Sequence, residues 1–134
     1  MWLLKTEPSA YSYEELERDV RTVWDGISNP AALKNLRQMK AGDRVFIYHT
    51  GNAKAVVGLA RVVRAAYPDP AGTDPKRVVI DVEREARLER PVSLAELKSL
   101  PSFAGSPLVR QGRLSVVPLS KSQWQAIDKR GRAR

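Results

Sequence analysis

The apolar residues of this chain come in short runs, each closed by a proline, a glycine or a helix-capping side chain, and this punctuation restricts the folds open to it. No run approaches the roughly 20 apolar residues that a membrane helix needs. The opening run from Met1 to Lys5 is too short to be expected as a signal peptide. Strands and helices do not alternate in the strict rhythm of a Rossmann-type parallel sheet. What remains is one domain with a single core, which 134 residues at 43% apolar composition can supply.

Local signals divide the chain further. Trp2 to Lys5 reads as a first strand, stopped by Pro8, which cannot donate to a ladder. Ser12 with Glu15 makes a capping box, so a helix is expected over Tyr13 to Arg18. Asn29-Pro30 opens a second helix through Leu33, Leu36 and Met39 to Lys40. After the break at Ala41-Gly42-Asp43, Arg44 to His49 is a strand with Val45 and Ile47 on one face, Phe46 and Tyr48 on the other, and both faces covered. Val56 to Arg64 and Arg77 to Glu83 are further strands on either side of a proline-rich turn at 67–75. In the second of these, Val78, Ile80 and Val82 face inward while Asp81 and Glu83 meet water. Ser93 with Glu96 makes another capping box, ahead of Leu94, Leu97 and Leu100, and 101–112 is expected to be an irregular loop. A last strand over Leu114 to Leu119 precedes a helix capped by Ser120 and Gln123 that buries Trp124 and Ile127. The fold class is therefore α+β, a mixed sheet or barrel of about five or six strands with short helices packed outside.

Charge points to a partner class. Lys and Arg number 23 against 15 Asp and Glu, a net +8 that favours polyanions, nucleic acid first. Half of the surplus lies in the last fourteen residues, so 129–134 is expected to be a flexible basic tail behind a domain spanning 1–128. The chain has no cysteine, which excludes disulfides, zinc fingers and thiol catalysis, and its single histidine leaves little from which to build a metal site. No Gly-rich phosphate loop and no Gly-x-Ser-x-Gly elbow appears, so enzymatic readings start low, and no cofactor or metal is expected. The expected setting is cytoplasmic, without membrane contact. Oligomeric state is not legible, a monomer being the working expectation.

Four segments carry polar and aromatic groups together: Lys5-Thr6-Glu7-Pro8, Trp24-Asp25-Gly26, Asn29 and Tyr48-His49-Thr50. That mixture suits a planar base, with an aromatic face for stacking and carboxylate, amide or backbone groups for the base edge. Each group also has a structural alternative. Trp24 is a stacking surface or a core plug, and Asp25 accepts an exocyclic amine or fixes the turn at Gly26. Thr6 and Glu7 read a base edge or cap a strand end, with Pro8 holding the backbone extended. Asn29 is an N-cap or a ligand contact, and His49 satisfies a backbone group or faces the pocket. Arg37, Lys54, Arg110 and Arg113 are candidate phosphate contacts, which would position a partner without reading its sequence.

The chain resembles the EVE domain family through Trp2-Leu3-Leu4-Lys5-Thr6-Glu7-Pro8, Trp24-Asp25-Gly26, Leu36-Arg37-Gln38-Met39-Lys40-Ala41-Gly42-Asp43, Val45-Phe46-Ile47-Tyr48-His49, Ala65-Ala66-Tyr67-Pro68-Asp69-Pro70, Arg90-Pro91-Val92-Ser93-Leu94-Ala95-Glu96-Leu97-Lys98 and Pro107-Leu108-Val109-Arg110. The resemblance implies a PUA-like β-barrel related to the YTH and ASCH folds. It also implies a pocket for a modified base, modified cytosine in DNA being the leading choice and a modified base in RNA the alternative. Two departures stand out. Ile27 to Lys34 lacks the tyrosine, glutamine and arginines common after Trp-Asp-Gly in the family, and the excursion after Tyr67-Pro68-Asp69-Pro70 is shortened to Ala71-Gly72-Thr73-Asp74-Pro75. A rival reading is an ASCH-like amidohydrolase acting on a modified cytidine through Lys5, Thr6 and Glu7. Strand alternation, which would turn Thr6 away from its neighbours, argues against it. A third reading is an interaction barrel whose pocket is vestigial.

Overall fold

The apolar opening run forms β1 (Trp2–Thr6), with Leu3 and Leu4 fully buried between two neighbouring strands. On one side β1 pairs in parallel with β3 (Arg44–His49), and on the other antiparallel with β6 (Val116–Pro118). β3 continues antiparallel to β4 (Ala55–Pro68), β4 to β5 (Val78–Ser93), and β5 to β2 (Arg21–Trp24). This computed structural model describes residues 1–132, and its six strands form one mixed sheet in the order β2-β5-β4-β3-β1-β6.

The sheet is not closed into the barrel that the sequence suggested. Its outer strands, β2 and β6, do not pair with each other. Register shifts at Val56/Gly58, Leu59/Ala60, Val62/Arg64 and Arg64/Tyr67 bend the long β4–β5 hairpin, as bulges do. That bending brings the two ends of the sheet toward each other without a hydrogen-bonded ladder. Residues from β1, from β2 and from the segment ahead of β6 instead line one cavity in the seam.

Five α-helices and one 3-10 turn surround the sheet among the described residues. α1 (Tyr13–Asp19) starts with both halves of the Ser12/Glu15 capping box in place. α2 (Pro30–Gln38) is capped by Asn29, whose side chain accepts from the amides of Ala31 and Ala32. It ends earlier than expected because Met39 is already extended, with its side chain still buried. The Asn35 side-chain amide donates to Val116 O at 2.8 Å and so ties α2 to β6. α3 (Leu94–Lys98) has half a capping box: Ser93 accepts from the Glu96 amide, but the Glu96 carboxylate pairs with Arg90 and Arg130 instead.

Other boundaries also moved. β2 was not anticipated, since four residues reading Arg-Thr-Val-Trp make a strand only by pairing with β5. β5 runs through Pro91, which sits in the bulged stretch between the Arg87 and Val92 pairings, where a proline costs no ladder bond. The expected loop at 101–112 contains a 3-10 turn (Pro101–Phe103) and α4 (Pro107–Arg110), whose Ser106 cap is buried. α5 (Lys121–Gly131) carries the Ser120/Gln123 capping box and buries Trp124 and Ile127. Trp124 packs 4.0 Å from Phe46, ring centre to ring centre.

The expected flexible tail at 129–134 needs correcting. Lys129 to Gly131 are the last turn of α5, Gly131 is buried against Leu88, and Arg132 pairs with Asp128 at 2.7 Å. The remainder of that expectation, 133–134, lies outside the described residues. No helix among the described residues is long and apolar enough to cross a membrane.

Candidate functional site

The seam cavity holds about 540 Å³, a volume typical of ligand clefts, and is open to solvent. One wall comes from the end of β1, where Lys5, Thr6 and Glu7 lead into a turn held by two bonds to Glu7 O, from the amides of Ala10 and Tyr11. The facing wall is β2 and the turn after it, from Thr22 to Ile27. Gly26 sits at φ +80°, a conformation that a side chain would strain, so this turn depends on glycine.

Trp24 combines both of its alternatives. It is 7% exposed and belongs to the core cluster, yet it lines the cavity. Tyr11 meets it edge to face at 6.1 Å and 88°, so each wall brings one aromatic ring to the cavity. The Tyr11 hydroxyl donates to Asp19 at 2.8 Å, and burial raises its pKa, keeping it protonated. Val23 is one of three exposed large apolar residues among those described, and it too lines the cavity.

The polar groups differ in how far they are already engaged. Asp25 is exposed at the rim, with no hydrogen-bond or ion-pair partner among the described residues. The Glu7 carboxylate accepts from Thr50 Oγ1 at 3.0 Å and from Ser9 Oγ at 3.4 Å. Thr6 Oγ1 donates to Tyr11 O at 2.8 Å. Lys5 Nζ donates to Gly112 O at 3.1 Å and lies 5.6 Å from the centre of the Tyr48 ring. Burial lowers the pKa of Lys5, and two of its three ammonium donors remain for a ligand.

Of the residues singled out from sequence, Lys5, Thr6, Glu7, Trp24, Asp25 and Gly26 line this cavity, and the rest do not. Pro8 lies in the turn behind it. Tyr48 is buried beneath Lys5, where burial raises its phenol pKa. His49 accepts the Tyr13 amide on Nε2 at 3.0 Å, which is the backbone-satisfying alternative and fixes the start of α1. Burial, then the charge of Arg87, lower its pKa. Thr50 acts through Glu7. Asn29 caps α2 and lines a second cavity of about 320 Å³ with Arg110 and Arg113. Arg37 borders a third cavity, where its guanidinium donates to Lys76 O. Lys54 lines none of the three and takes a positive φ of 42°, its carbonyl accepting from Leu94 N.

Sequence reasoning missed Tyr11, Val23 and Ile27 as cavity residues. Tyr11 precedes the Ser12 cap and carries no spacing signal of its own. Only the fold of the Glu7–Ser12 turn against β2 brings it to Trp24. The alternation argument about Lys5, Thr6 and Glu7 also needs correcting: all three line one cavity, because the strand ends at Thr6 and Glu7 already belongs to the turn. No group of three or more His, Asp or Glu side chains among the described residues could hold a metal ion.

The curled mixed sheet thus carries an aromatic and polar cavity at its open seam. The chain belongs to the EVE domain family, whose model matches residues 1–130. It is 33% identical to human thymocyte nuclear protein 1 over a 162-residue alignment covering 94% of this chain and 71% of that protein. Among solved structures, Rpa0253 from Rhodopseudomonas palustris superposes with a TM-score of 0.90 at 36% identity, covering 97% of this chain and 91% of that one. The human THYN1 protein, solved in complex with DNA containing 5-methylcytosine, superposes with a TM-score of 0.87 at 29% identity, covering 99% and 98%. An ASCH protein from Zymomonas mobilis shares the fold at a TM-score of 0.58 and 16% identity, with 92% and 90% covered.

Proposed function

We propose that this protein reads a modified cytosine in DNA by accepting the extruded base into the seam cavity. The observation that carries the reading is the meeting, in one solvent-open cavity, of the unpartnered Asp25 carboxylate with the Tyr11–Trp24 aromatic pair. A carboxylate only accepts, so it suits the exocyclic amine of cytosine and disfavours the carbonyl at that position in thymine. Lys5 supplies donors for the ring carbonyl on the opposite edge. Val23 and Ile27 give a 5-methyl group an apolar surface to cover. The extrusion cost of a few kcal/mol is offset by stacking and edge contacts. The 5-methylcytosine DNA bound by the human relative supports the same ligand class.

The test uses oligonucleotides that place cytosine, 5-methylcytosine or thymine at one position. 5-Methylcytosine and thymine share the methyl group and differ at C4, amine against carbonyl, and at N3, acceptor against N–H donor, so preference between them reports on the edge that Asp25 is assigned to read. Asp25→Asn should erase that preference, and Trp24→Ala should erase preference among all three bases while salt-sensitive binding persists. Discrimination by Asp25→Asn equal to that of wild type would refute the assignment.

A second reading, an amidohydrolase, draws on the joint presence of Lys5, Thr6 and Glu7 in the cavity. The hydrogen bonds argue for a reader instead. Thr6 Oγ1 donates to Tyr11 O and the Glu7 carboxylate accepts from Thr50, so the two are not paired as hydroxyl and base. Release of free cytidine from an acylated cytidine, followed by mass spectrometry, would reverse this preference.

A further inference from the structure

The second cavity lies directly beside the first. Gly112 lines it, and the Gly112 carbonyl accepts from Lys5 Nζ, which lines the seam cavity. Leu114 borders the second cavity and Ser115 the first, while Gly26 and Ile27 border the first and Asn29 the second. Two short chain segments, 26–29 and 112–115, therefore flank both spaces.

The chemistry of the two cavities differs. The seam cavity contains Glu7 and Asp25, and the cavity beside Arg37 contains Asp74. The second cavity has Arg110 and Arg113 and no carboxylate among its lining residues. Many arginines elsewhere are held by carboxylates: Arg18, Arg21, Arg44, Arg61, Arg87, Arg90, Arg130 and Arg132 all sit in ion pairs. Arg110 and Arg113 are exposed and have no such partner. Asn29 spends its side-chain oxygen on the α2 cap, leaving its NH₂ as a donor. Two guanidinium forks and an amide donor around a concave space match the oxygens of a phosphodiester.

We infer that the cavity bounded by Asn29, Arg110 and Arg113 holds the backbone phosphate adjoining the nucleotide whose base enters the seam cavity. This rests on the base-reading proposal and deepens it by fixing the side on which the strand passes. The strand crosses the α4–β6 segment, not the β3–β4 turn with Lys54 and not the cavity at Arg37.

The test measures binding of full-length protein to 5-methylcytosine and unmodified oligonucleotides across a series of salt concentrations. Arg110→Gln with Arg113→Gln should lower the magnitude of the log–log salt slope by about 0.7 to 0.9, the range expected for one lost phosphate contact on single- or double-stranded DNA. It should weaken both oligonucleotides by the same factor. A control of equal charge loss, Lys98→Gln with Lys121→Gln, alters exposed residues that line none of the three cavities and should keep the wild-type slope. A methylphosphonate linkage placed next to the 5-methylcytosine should weaken wild type and add nothing in the arginine variant. An arginine variant with the wild-type or control slope, or one still weakened fully by the neutral linkage, overturns the inference. Equal binding of 5-methylcytosine and cytosine by wild type is a different result, and it sinks the base-reading proposal instead.

Discussion

Gly58 is the residue whose replacement best tests how the site is supported. A Cβ at Gly58 would lie 2.7 Å from Tyr13 Cδ1 and nearer still to Cε1 and Cζ. The ring has nowhere to retreat. It is 1% exposed, and its hydroxyl donates to Leu59 O at 2.6 Å, with burial pushing the phenol pKa up to about 12. On an open strand Gly→Ala would stabilise by about 0.5–1 kcal/mol. Here overpacking costs about 1–3 kcal/mol, and stranding the Leu59 carbonyl adds about 1–3 kcal/mol more. The net expectation for Gly58→Ala is a loss of about 1–5 kcal/mol. Urea unfolding should show the midpoint falling by about 0.5–2.5 M at unchanged slope, for a slope of about 2 kcal/mol/M. Because Tyr13 opens α1 two residues after Tyr11, base preference should weaken in the same variant. Tyr13→Leu combined with Gly58→Ala should cost less than the two single changes added together. A midpoint equal to or above that of wild type, or strict additivity, would show that the ring does not occupy the space assigned to it.

Two further expectations concern stability. His49 accepts the Tyr13 N–H as a neutral imidazole and has a folded-state pKa below its ordinary 6.5. The unfolded chain therefore binds the proton first, so stability is full above 6.5 and falls as pH drops from there toward the folded value. His49→Asn, which can still accept the Tyr13 amide, should flatten thermal melts between pH 6.5 and about 5, before the carboxylates titrate; an undiminished pH dependence would exclude His49 as its source. Val20 ends α1 at φ 67° and ψ −46°, a strained setting for a β-branched side chain that is 42% exposed. Val20→Gly should gain about 1 kcal/mol in chemical denaturation, the lower end of the range for such strain, and a loss would mean that the valine side chain contributes more than its backbone costs.

The base-sized cavity was only partly legible in the sequence. Glu7 and Trp24–Gly26 drew attention through aromatic and polar composition and through family resemblance, whereas His49 looked equally suitable and is used to cap Tyr13. Nothing local separates those cases. A histidine at a strand end can satisfy a neighbour or face a ligand, and which it does depends on where α1 starts relative to β3. Tyr11 was invisible for the complementary reason, its partner Trp24 being thirteen residues away on a strand that exists only through pairing with β5.

The sequence by itself determined the features decided within a few residues: the Ser12, Asn29 and Ser120 caps, the alternation in β3, and the burial of Trp124 and Ile127. Each depends on a hydrogen bond or a repeat shorter than a helical turn, and so can be read from neighbouring side chains. Tertiary structure alone decided the length and bending of β4 and β5, the open seam between β2 and β6, and the folding of Lys129 to Gly131 onto Leu88. Those outcomes depend on register between distant segments, where one extra residue at a bulge redirects a whole strand. The cavity lies where that register leaves two strand edges unpaired.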